Sequence, residues 1–246
     1  MAAIVPEPVE VLKAFAARME IPYPILSDEG SAIVARFGIE DTRGQPFVPR
    51  SGLPYAGNFL LDPRGTVVAR YFEEAVAERR TAGSILLEQG GAGTPGQQAP
   101  LDHMTLRTSA SNAELAPAER FTLALDLELE PGHHAYAPGV QGGYRPLRLS
   151  LDANPLFEAL PPRFPPGRDY YYAPLKETVP VFEGDVRVLQ EVSVAMRPAL
   201  DALAKGGEQD VTLTGTLEYQ VCSDRVCYPP RTAPLRWTFR LRRWSR

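Results

Sequence analysis

The sequence predicts an α+β chain of two domains, an α/β segment followed by an antiparallel β-sandwich, and three observations carry the prediction. The first third of the chain combines helical periodicity with short extended runs. A stretch rich in Gly, Gln and Pro follows at residues 89–101 and has no apolar period. From His103 onward, apolar residues recur at every second position, which is typical of half-buried strands.

These changes of pattern set the expected domain boundaries. We expect a first domain over residues 1–88, a flexible linker over 89–101 and a second domain over 102–246. A chain of 246 residues suits one or two domains. Its 44% hydrophobic and 23% charged content predicts a buried core rather than disorder.

The first domain shows helix and strand signals in alternation. Apolar residues at three- and four-residue spacing predict a helix over residues 9–19. Ser27 and Asp28 are cap candidates for a second helix, which Gly38 can close. A strand, a tight turn and a strand are expected over residues 58–72, and a closing helix over 77–87.

The second domain shows seven or eight short alternating runs divided by Gly, Pro, Asn and Asp clusters. Such a pattern over about 145 residues predicts an immunoglobulin-like antiparallel β-sandwich. The antibody spacing of Cys, Trp and Cys is missing, so the prediction concerns architecture alone. The main runs are residues 121–129, 147–151, 186–196, 211–221 and 235–241.

The chain's two cysteines, Cys222 and Cys227, are separated by four residues. If one strand ends at Cys222 and the next begins after Cys227, the pair faces across a hairpin loop. That arrangement suits a disulfide, which needs Cα atoms about 4.4–6.8 Å apart. Odd-numbered residues of the run 211–221 form the core face, so alternation places Cys222 on the opposite face. We therefore expect the pair near the surface, where a partner can reach it.

The overall charge and hydropathy argue against nucleic-acid binding, binding to anionic membranes and a membrane span. A net charge of −4 gives no reason to expect nucleic acid or an anionic membrane as a partner. No run of about 18 apolar residues exists, so we expect no membrane span. The first residues, Met1 to Glu7, lack the features of a signal peptide. No cofactor is expected.

Four short pieces of the first domain carry a family resemblance. Residues 11–16, 23–28, 37–39 and 58–65 resemble the second half of a thioredoxin-fold domain of the peroxiredoxin-like type, the alkyl hydroperoxide reductase/thiol-specific antioxidant family. That family's nucleophilic cysteine would lie upstream, and residues 1–221 contain no cysteine. Ala56 replaces the usual proline or arginine. The domain is therefore either truncated at its start or a remnant without peroxidase chemistry.

The cysteine segment carries a second resemblance. Residues 219–230 read Tyr-Gln-Val-Cys-Ser-Asp-Arg-Val-Cys-Tyr-Pro-Pro, and residues 102–246 resemble the amino-terminal domain of the thiol:disulfide interchange protein DsbD. In that family an immunoglobulin-like domain passes electrons between a thioredoxin-like domain and periplasmic dithiol partners. The resemblance implies that Cys222 and Cys227 are the exchanging pair, with Cys227 as the exposed attacking residue. It also implies thioredoxin-like or other dithiol proteins as partners.

The same resemblance assigns roles to neighbouring residues. It implies that Tyr228 and Pro229 form a stiff wall beside the sulfurs, and that Tyr136 is a candidate for the same wall or for a cap over the site. A loop of that family caps the cysteines against stray oxidation, so the resemblance offers three consecutive residues as a cap, and the alternative is that they are rim packing of the sandwich. These candidate cap residues are Tyr170, Tyr171 and Tyr172. Arg225 favours a thiolate nearby, and Asp224 opposes it.

Three hypotheses of function remain open. The favoured one is a thiol–disulfide exchange protein, a possible oxidoreductase that is periplasmic or exported if the start is truncated. The second is a non-catalytic interaction module with a structural hairpin disulfide. The third is a fragment of a peroxiredoxin-type antioxidant protein whose active site lies upstream. A zinc site is not expected, since the only histidines are His103, His133 and His134, and the last two point to opposite faces of a strand.

Overall fold

The chain forms two compact units, Met1–Val76 and Ala77–Arg246. The computed structural model describes residues 1–41, 54–72, 80–172 and 176–243. The second unit begins at Ala77, so the boundary between the units lies earlier in the sequence than the expected end of the first domain at residue 88.

The first unit alternates strands with helices, as predicted. Strands β1 and β2 pair in parallel, with α1 between them in the sequence, and β3 and β4 form an antiparallel hairpin. The carboxylate of Asp28 accepts the backbone N–H groups of Ile33 and Val34, each at 2.9 Å, which confirms it as a cap of the second helix. The elements are β1 (Ala3–Val5), α1 (Val9–Arg18), β2 (Ile25–Ser27), α2 (Ala32–Phe37), β3 (Gly57–Leu61) and β4 (Val67–Phe72).

The second unit is a β-sandwich with an additional small sheet. Its elements are α3 (Ala82–Glu88), β5 (Thr94–Leu101), β6 (Met104–Ala110), β7 (Glu114–Leu115), β8 (Arg120–Leu129), β9 (His133–Tyr136), β10 (Arg148–Leu151), β11 (Phe157–Ala159), β12 (Arg168–Tyr172), β13 (Glu177–Phe182), β14 (Asp185–Val194), α4 (Met196–Gly206), β15 (Gln209–Tyr219), β16 (Val221–Ser223) and β17 (Arg231–Leu241).

Two larger sheets enclose the core of this unit. One has the strand order β11-β14-β8-β6-β5 and the other β10-β15-β17-β7. Alternate residues of β8, β15 and β17 point inward, and Phe121 meets Phe239 across the core with ring centroids 5.0 Å apart. This confirms the predicted immunoglobulin-like sandwich. A third sheet, β12-β13-β9-β16, carries Cys222.

The expected flexible linker at residues 89–101 is wrong, because most of it is a strand. β5 pairs antiparallel with β6 and forms the edge of the five-stranded sheet. An edge strand tolerates prolines, which have no N–H to donate to a neighbour, and Pro95 and Pro100 both lie in it. The register shifts between Pro95 and Gln98, so the pairing is interrupted there. The segment therefore has the composition of a linker, but most of it forms an edge strand.

The expected helix over residues 77–87 is also displaced, and it belongs to the second unit. It covers Ala82–Glu88, and residues 77–79 lie outside the described residues. The guanidinium of Arg187 donates to the carbonyl oxygens of Leu87 at 3.1 Å and Gly91 at 3.2 Å, while also pairing with Asp126 at 2.6 Å. These bonds fix the end of α3 to the sandwich.

The close-packed core leads us to expect that a cavity in the sandwich lowers the free energy of unfolding. Leu125 of β8 is fully buried, so Leu125→Ala should lower the free energy of unfolding of the second unit by about 2–5 kcal/mol. Trp237 is buried in this unit, and residues 1–76 contain no tryptophan, so urea unfolding followed by tryptophan fluorescence measures the second unit.

A substitution on the same strand serves as the control. Glu128 is exposed, and Glu128→Ala should cost less than about 1 kcal/mol. Equal losses from the two substitutions would contradict the assignment of the buried face.

Candidate functional site

The cysteine hairpin is attached to the sandwich through β9. β16 pairs antiparallel with β9, which places Cys222 directly opposite His134 and Ser223 opposite His133. On its other edge β9 pairs with β13, so it is an inner strand of the third sheet. Residues of β9 and of its neighbour β13 therefore surround Cys222.

The loop between the cysteines is closed by backbone bonds on both sides of the pair. The N–H of Ser223 donates to the carbonyl of Val226 at 2.8 Å, and the N–H of Tyr228 donates to the carbonyl of Val221 at 3.0 Å. The Cα atoms of Cys222 and Cys227 are 4.0 Å apart, and the two residues form a disulfide. The predicted hairpin pairing of the cysteines is confirmed.

The two cysteines differ sharply in exposure. Cys222 is 0% exposed, whereas Cys227 is exposed at the hairpin's end. The expectation that alternation brings Cys222 near the surface is wrong. Its side chain does leave the main core, but the third sheet covers it with a second apolar cluster. This cluster contains Tyr136, Val179, Val181 and Cys222, with Val140, Tyr144 and Tyr170 packed against it.

Among the described residues, Tyr136 contacts the disulfide through its hydroxyl. Its hydroxyl lies 3.6 Å from the sulfur of Cys222 and 3.6 Å from the sulfur of Cys227. Disulfide sulfurs carry no proton, so the hydroxyl is the donor to both. Burial, followed by the neighbouring Tyr172 and Tyr170, raises the pKa of Tyr136, which keeps the hydroxyl protonated.

The three candidate cap tyrosines lie on one strand, β12, with different exposures. Tyr170 packs on the cluster around Cys222, and its ring lies 4.5 Å from that of His134. Tyr171 points outward and is 61% exposed, while Tyr172 is half-buried. Only Tyr170 of the three packs directly against the apolar cluster that holds Cys222.

Tyr144 belongs to the same cover and was missed by sequence reasoning. Its ring centroid is 4.6 Å from that of Tyr136, and its hydroxyl donates to Glu177 at 2.7 Å. That bond raises the pKa of Tyr144 to about 12. The residue lies in the irregular segment between β9 and β10, where no periodicity points to the site.

The residues that flank the cysteines hold the hairpin in place. The side-chain amide of Gln220 donates to the carbonyl of Tyr228 at 2.9 Å, which ties the two ends of the motif together. Tyr228 contacts the ring of His103 at 4.2 Å, and Pro229 is exposed. Arg225 pairs with Asp224 at 3.9 Å, and both side chains are largely exposed. The two loop charges therefore offset each other rather than acting on the sulfurs.

The histidines behave partly as predicted. His133 and His134 point to opposite faces of β9, since His133 stacks on His103 while His134 packs against Tyr170. Sequence reasoning missed Glu130, whose carboxylate lies 2.9 Å from Nδ1 of His103. In the described part of the chain, the group of His103, Glu130 and His133 places potential metal-ligand atoms within 4.8 Å of one another.

Comparison with known proteins decides the family. The family model described as thiol:disulfide interchange protein DsbD, N-terminal, matches residues 104–236. The chain belongs to this DsbD N-terminal family. Residues 1–70 match the AhpC/TSA family, which agrees with the thioredoxin-like resemblance of the first unit. No curated protein matches the chain.

Solved structures that are similar to this chain include one periplasmic domain. It is the N-terminal periplasmic domain of ScsB from Proteus mirabilis, with 14% identity and a TM-score of 0.39. The match covers 59% of this chain and 51% of that one, so the chain spans about half the length of this relative. Among the described helices, none has the length and apolar character needed to cross a bilayer.

The buried histidine of this DsbD-family sandwich predicts a pH dependence. Burial lowers the pKa of His134; the charge of Glu183 opposes this shift to a smaller extent, and His133 adds to it. The folded state therefore resists protonation, whereas the unfolded chain takes up a proton near pH 6.5. We expect the stability due to neutral His134 to be complete above pH 6.5 and to fall as pH drops towards the folded pKa.

This effect is measurable by urea unfolding of the second unit between pH 7.5 and pH 5. His134→Gln should flatten that part of the pH profile, because the group that takes up the proton on unfolding is removed. A parallel NMR titration of the imidazole signals assigns the folded pKa. An unchanged slope in His134→Gln would show that other groups cause the acid loss.

Proposed function

We propose that this chain exchanges disulfides with dithiol proteins through the Cys222/Cys227 couple. The observation that carries the proposal is the asymmetry of the pair, with one sulfur-bearing residue exposed and its partner fully buried. Membership of the DsbD N-terminal family supports the same reaction. A bridge with a purely structural role has no need for one accessible end.

The reaction begins at the exposed residue. A thiolate of a reduced partner attacks the sulfur of Cys227, the Cys222–Cys227 bond breaks, and Cys222 leaves as a thiolate. The partner's second thiolate then attacks the partner's own sulfur in the mixed disulfide and releases Cys227. The partner ends as a disulfide and the chain as a dithiol, so two electrons have moved. In reverse, the Cys227 thiolate attacks a partner disulfide and Cys222 resolves the mixed disulfide.

Tyr136 supports the leaving group in this scheme. When the bond breaks, negative charge develops on the sulfur of Cys222, which is otherwise surrounded by apolar side chains. The hydroxyl of Tyr136 already lies 3.6 Å from that sulfur and remains protonated. A hydrogen bond to an ionised acceptor is stronger than one to a neutral acceptor, so the contact strengthens as the thiolate forms.

The proposed partners are thioredoxin-fold dithiol proteins, as the DsbD family implies. The AhpC/TSA-like first unit contributes no cysteine, so the second thiol pair belongs to another protein or another domain. The similar ScsB domain is described as periplasmic, and we propose an exported location for this chain as well. An oxidising compartment is also where disulfide couples operate.

Single-cysteine variants test which sulfur is reached. Cys222→Ser leaves Cys227 as the sole thiol, and Cys227→Ser leaves Cys222. A thioredoxin with only its exposed cysteine, activated with a thionitrobenzoate leaving group, reports mixed-disulfide formation by colour. We expect Cys222→Ser to react at least about tenfold faster than Cys227→Ser, because the Cys222 side chain is shielded from the partner.

Two further measurements sharpen this test. In concentrated urea the two variants should react at similar rates, which shows that burial causes the difference. Equal rates in the folded state would contradict the assigned roles. A reduction potential of the wild-type pair below about −300 mV, together with no exchange with thioredoxin, would instead establish a structural bridge.

The tyrosine cover yields a separate prediction. Tyr170→Ala removes a ring that packs on the cluster around Cys222, so the reduced pair should be oxidised faster by a small disulfide such as oxidised glutathione. Tyr171→Ala is the matched control, since Tyr171 is adjacent on β12 but 61% exposed. Stopped-flow measurement with wild type, Tyr170→Ala and Tyr171→Ala distinguishes a cover from rim packing. An unchanged rate in Tyr170→Ala would reject the cover.

A further inference from the structure

The structure assigns a second site to this unit: we propose that His103, Glu130 and His133 bind a divalent transition-metal ion such as Zn²⁺. His103 lies in the β5–β6 turn, Glu130 in the β8–β9 turn and His133 at the start of β9, and their potential ligand atoms lie within 4.8 Å of one another. Two imidazoles and one carboxylate form a nitrogen-rich donor set that suits Zn²⁺ and neighbouring ions rather than Mg²⁺ or Ca²⁺. The site does not depend on the exchange activity.

Backbone bonds hold the three residues together. The N–H of Glu130 donates to the carbonyl of His103 at 3.0 Å, and the N–H of His133 donates to the carbonyl of Glu130 at 3.1 Å. His103 adopts a left-handed conformation with φ at 58°, and Gly132 turns the chain before β9 with φ at 78°. The main chain thus fixes the backbone positions of the three residues, so binding an ion has to order only their side chains.

The side-chain bonds indicate which atoms are available. Nδ1 of His103 donates to Oε2 of Glu130 at 2.9 Å; when an ion binds, this proton leaves to solvent and the two atoms move to the roughly 3.3 Å that separates two ligand atoms of a tetrahedral zinc site. Nδ1 of His133 lies 3.3 Å from the carbonyl of Pro131, which only accepts, so this nitrogen donates and Nε2 keeps its lone pair. The nearby carboxylate of Asp102 pairs with Arg231 at 3.1 Å instead.

Binding requires one adjustment of the rings. The imidazoles of His103 and His133 are stacked, with centroids 4.3 Å apart and 9° between their planes, so one ring must turn for both to reach a shared ion. His133 is half-buried, and the Glu130 side chain is 58% exposed. This movement is a rotation of one imidazole side chain, and the backbone hydrogen bonds stay intact. Water completes the coordination from the solvent side.

Zinc titration of the full chain tests the proposal. The protein carries a tag without histidine and is kept oxidised, so that neither cysteine binds metal. We expect one Zn²⁺ per chain by isothermal titration calorimetry and no response to Mg²⁺. His103→Asn, Glu130→Gln and His133→Gln should each weaken binding by at least about tenfold. Asn is chosen at position 103 because it tolerates the left-handed conformation.

Matched controls separate this site from general surface binding. His134→Gln and Asp102→Asn each remove a neighbouring histidine or carboxylate outside the trio and should retain wild-type affinity. In the wild-type protein, Zn²⁺ should shift the imidazole NMR signals of His103 and His133 but leave that of His134 in place. This measurement needs no variant to fold. Absence of saturable Zn²⁺ binding, or full affinity in His133→Gln, would overturn the proposal.

Discussion

The pairing of β9 with β16 is the constraint on which the site depends. It sets Cys222 opposite His134 and leaves the other edge of β9 to β13. Successive side chains of β9 point to opposite faces of the sheet, so they meet two different environments. One face supplies His134 and Tyr136 to the surroundings of the disulfide, and the other supplies His133 to the turn that holds His103. A one-residue slip of this register would exchange the two sets.

The burial of Cys222 shapes the chemistry more than any charge does. Arg225 and Asp224 lie in the loop and offset each other, so the loop supplies little electrostatic bias to the sulfurs. The buried sulfur instead meets apolar side chains and one hydroxyl, that of Tyr136. In such an apolar setting a single hydrogen-bond donor has a large effect on the sulfur, because water does not compete with it. Exposure therefore distinguishes the two cysteines, because the hydroxyl of Tyr136 lies 3.6 Å from both sulfurs.

The sequence was sufficient for features that depend on local pattern. Alternation identified the inward faces of β8, β15 and β17, and the spacing of Cys222 and Cys227 indicated a hairpin pair. It failed where the outcome depends on distant partners. β5 was missed because its prolines are tolerated only at an edge, and edge position is a property of the whole sheet.

The burial of Cys222 was missed for a related reason. Alternation tells which face a side chain takes, but not whether another sheet covers that face. Tyr144 and Glu130 were missed because both lie outside the strands, in segments that carry no period. Glu130 reaches His103 across 27 positions of sequence, and only the adjacent turns of the folded sheets bring the two together.

The short loop between the cysteines limits how much the disulfide stabilises the fold. A crosslink stabilises a fold in proportion to the chain freedom it removes from the unfolded state, and this removal grows with the length of the closed loop. Here the linked residues are five positions apart, so the link contributes little to the sandwich. The large core is built without it. We therefore expect the sandwich to keep its fold whether the disulfide is intact or reduced.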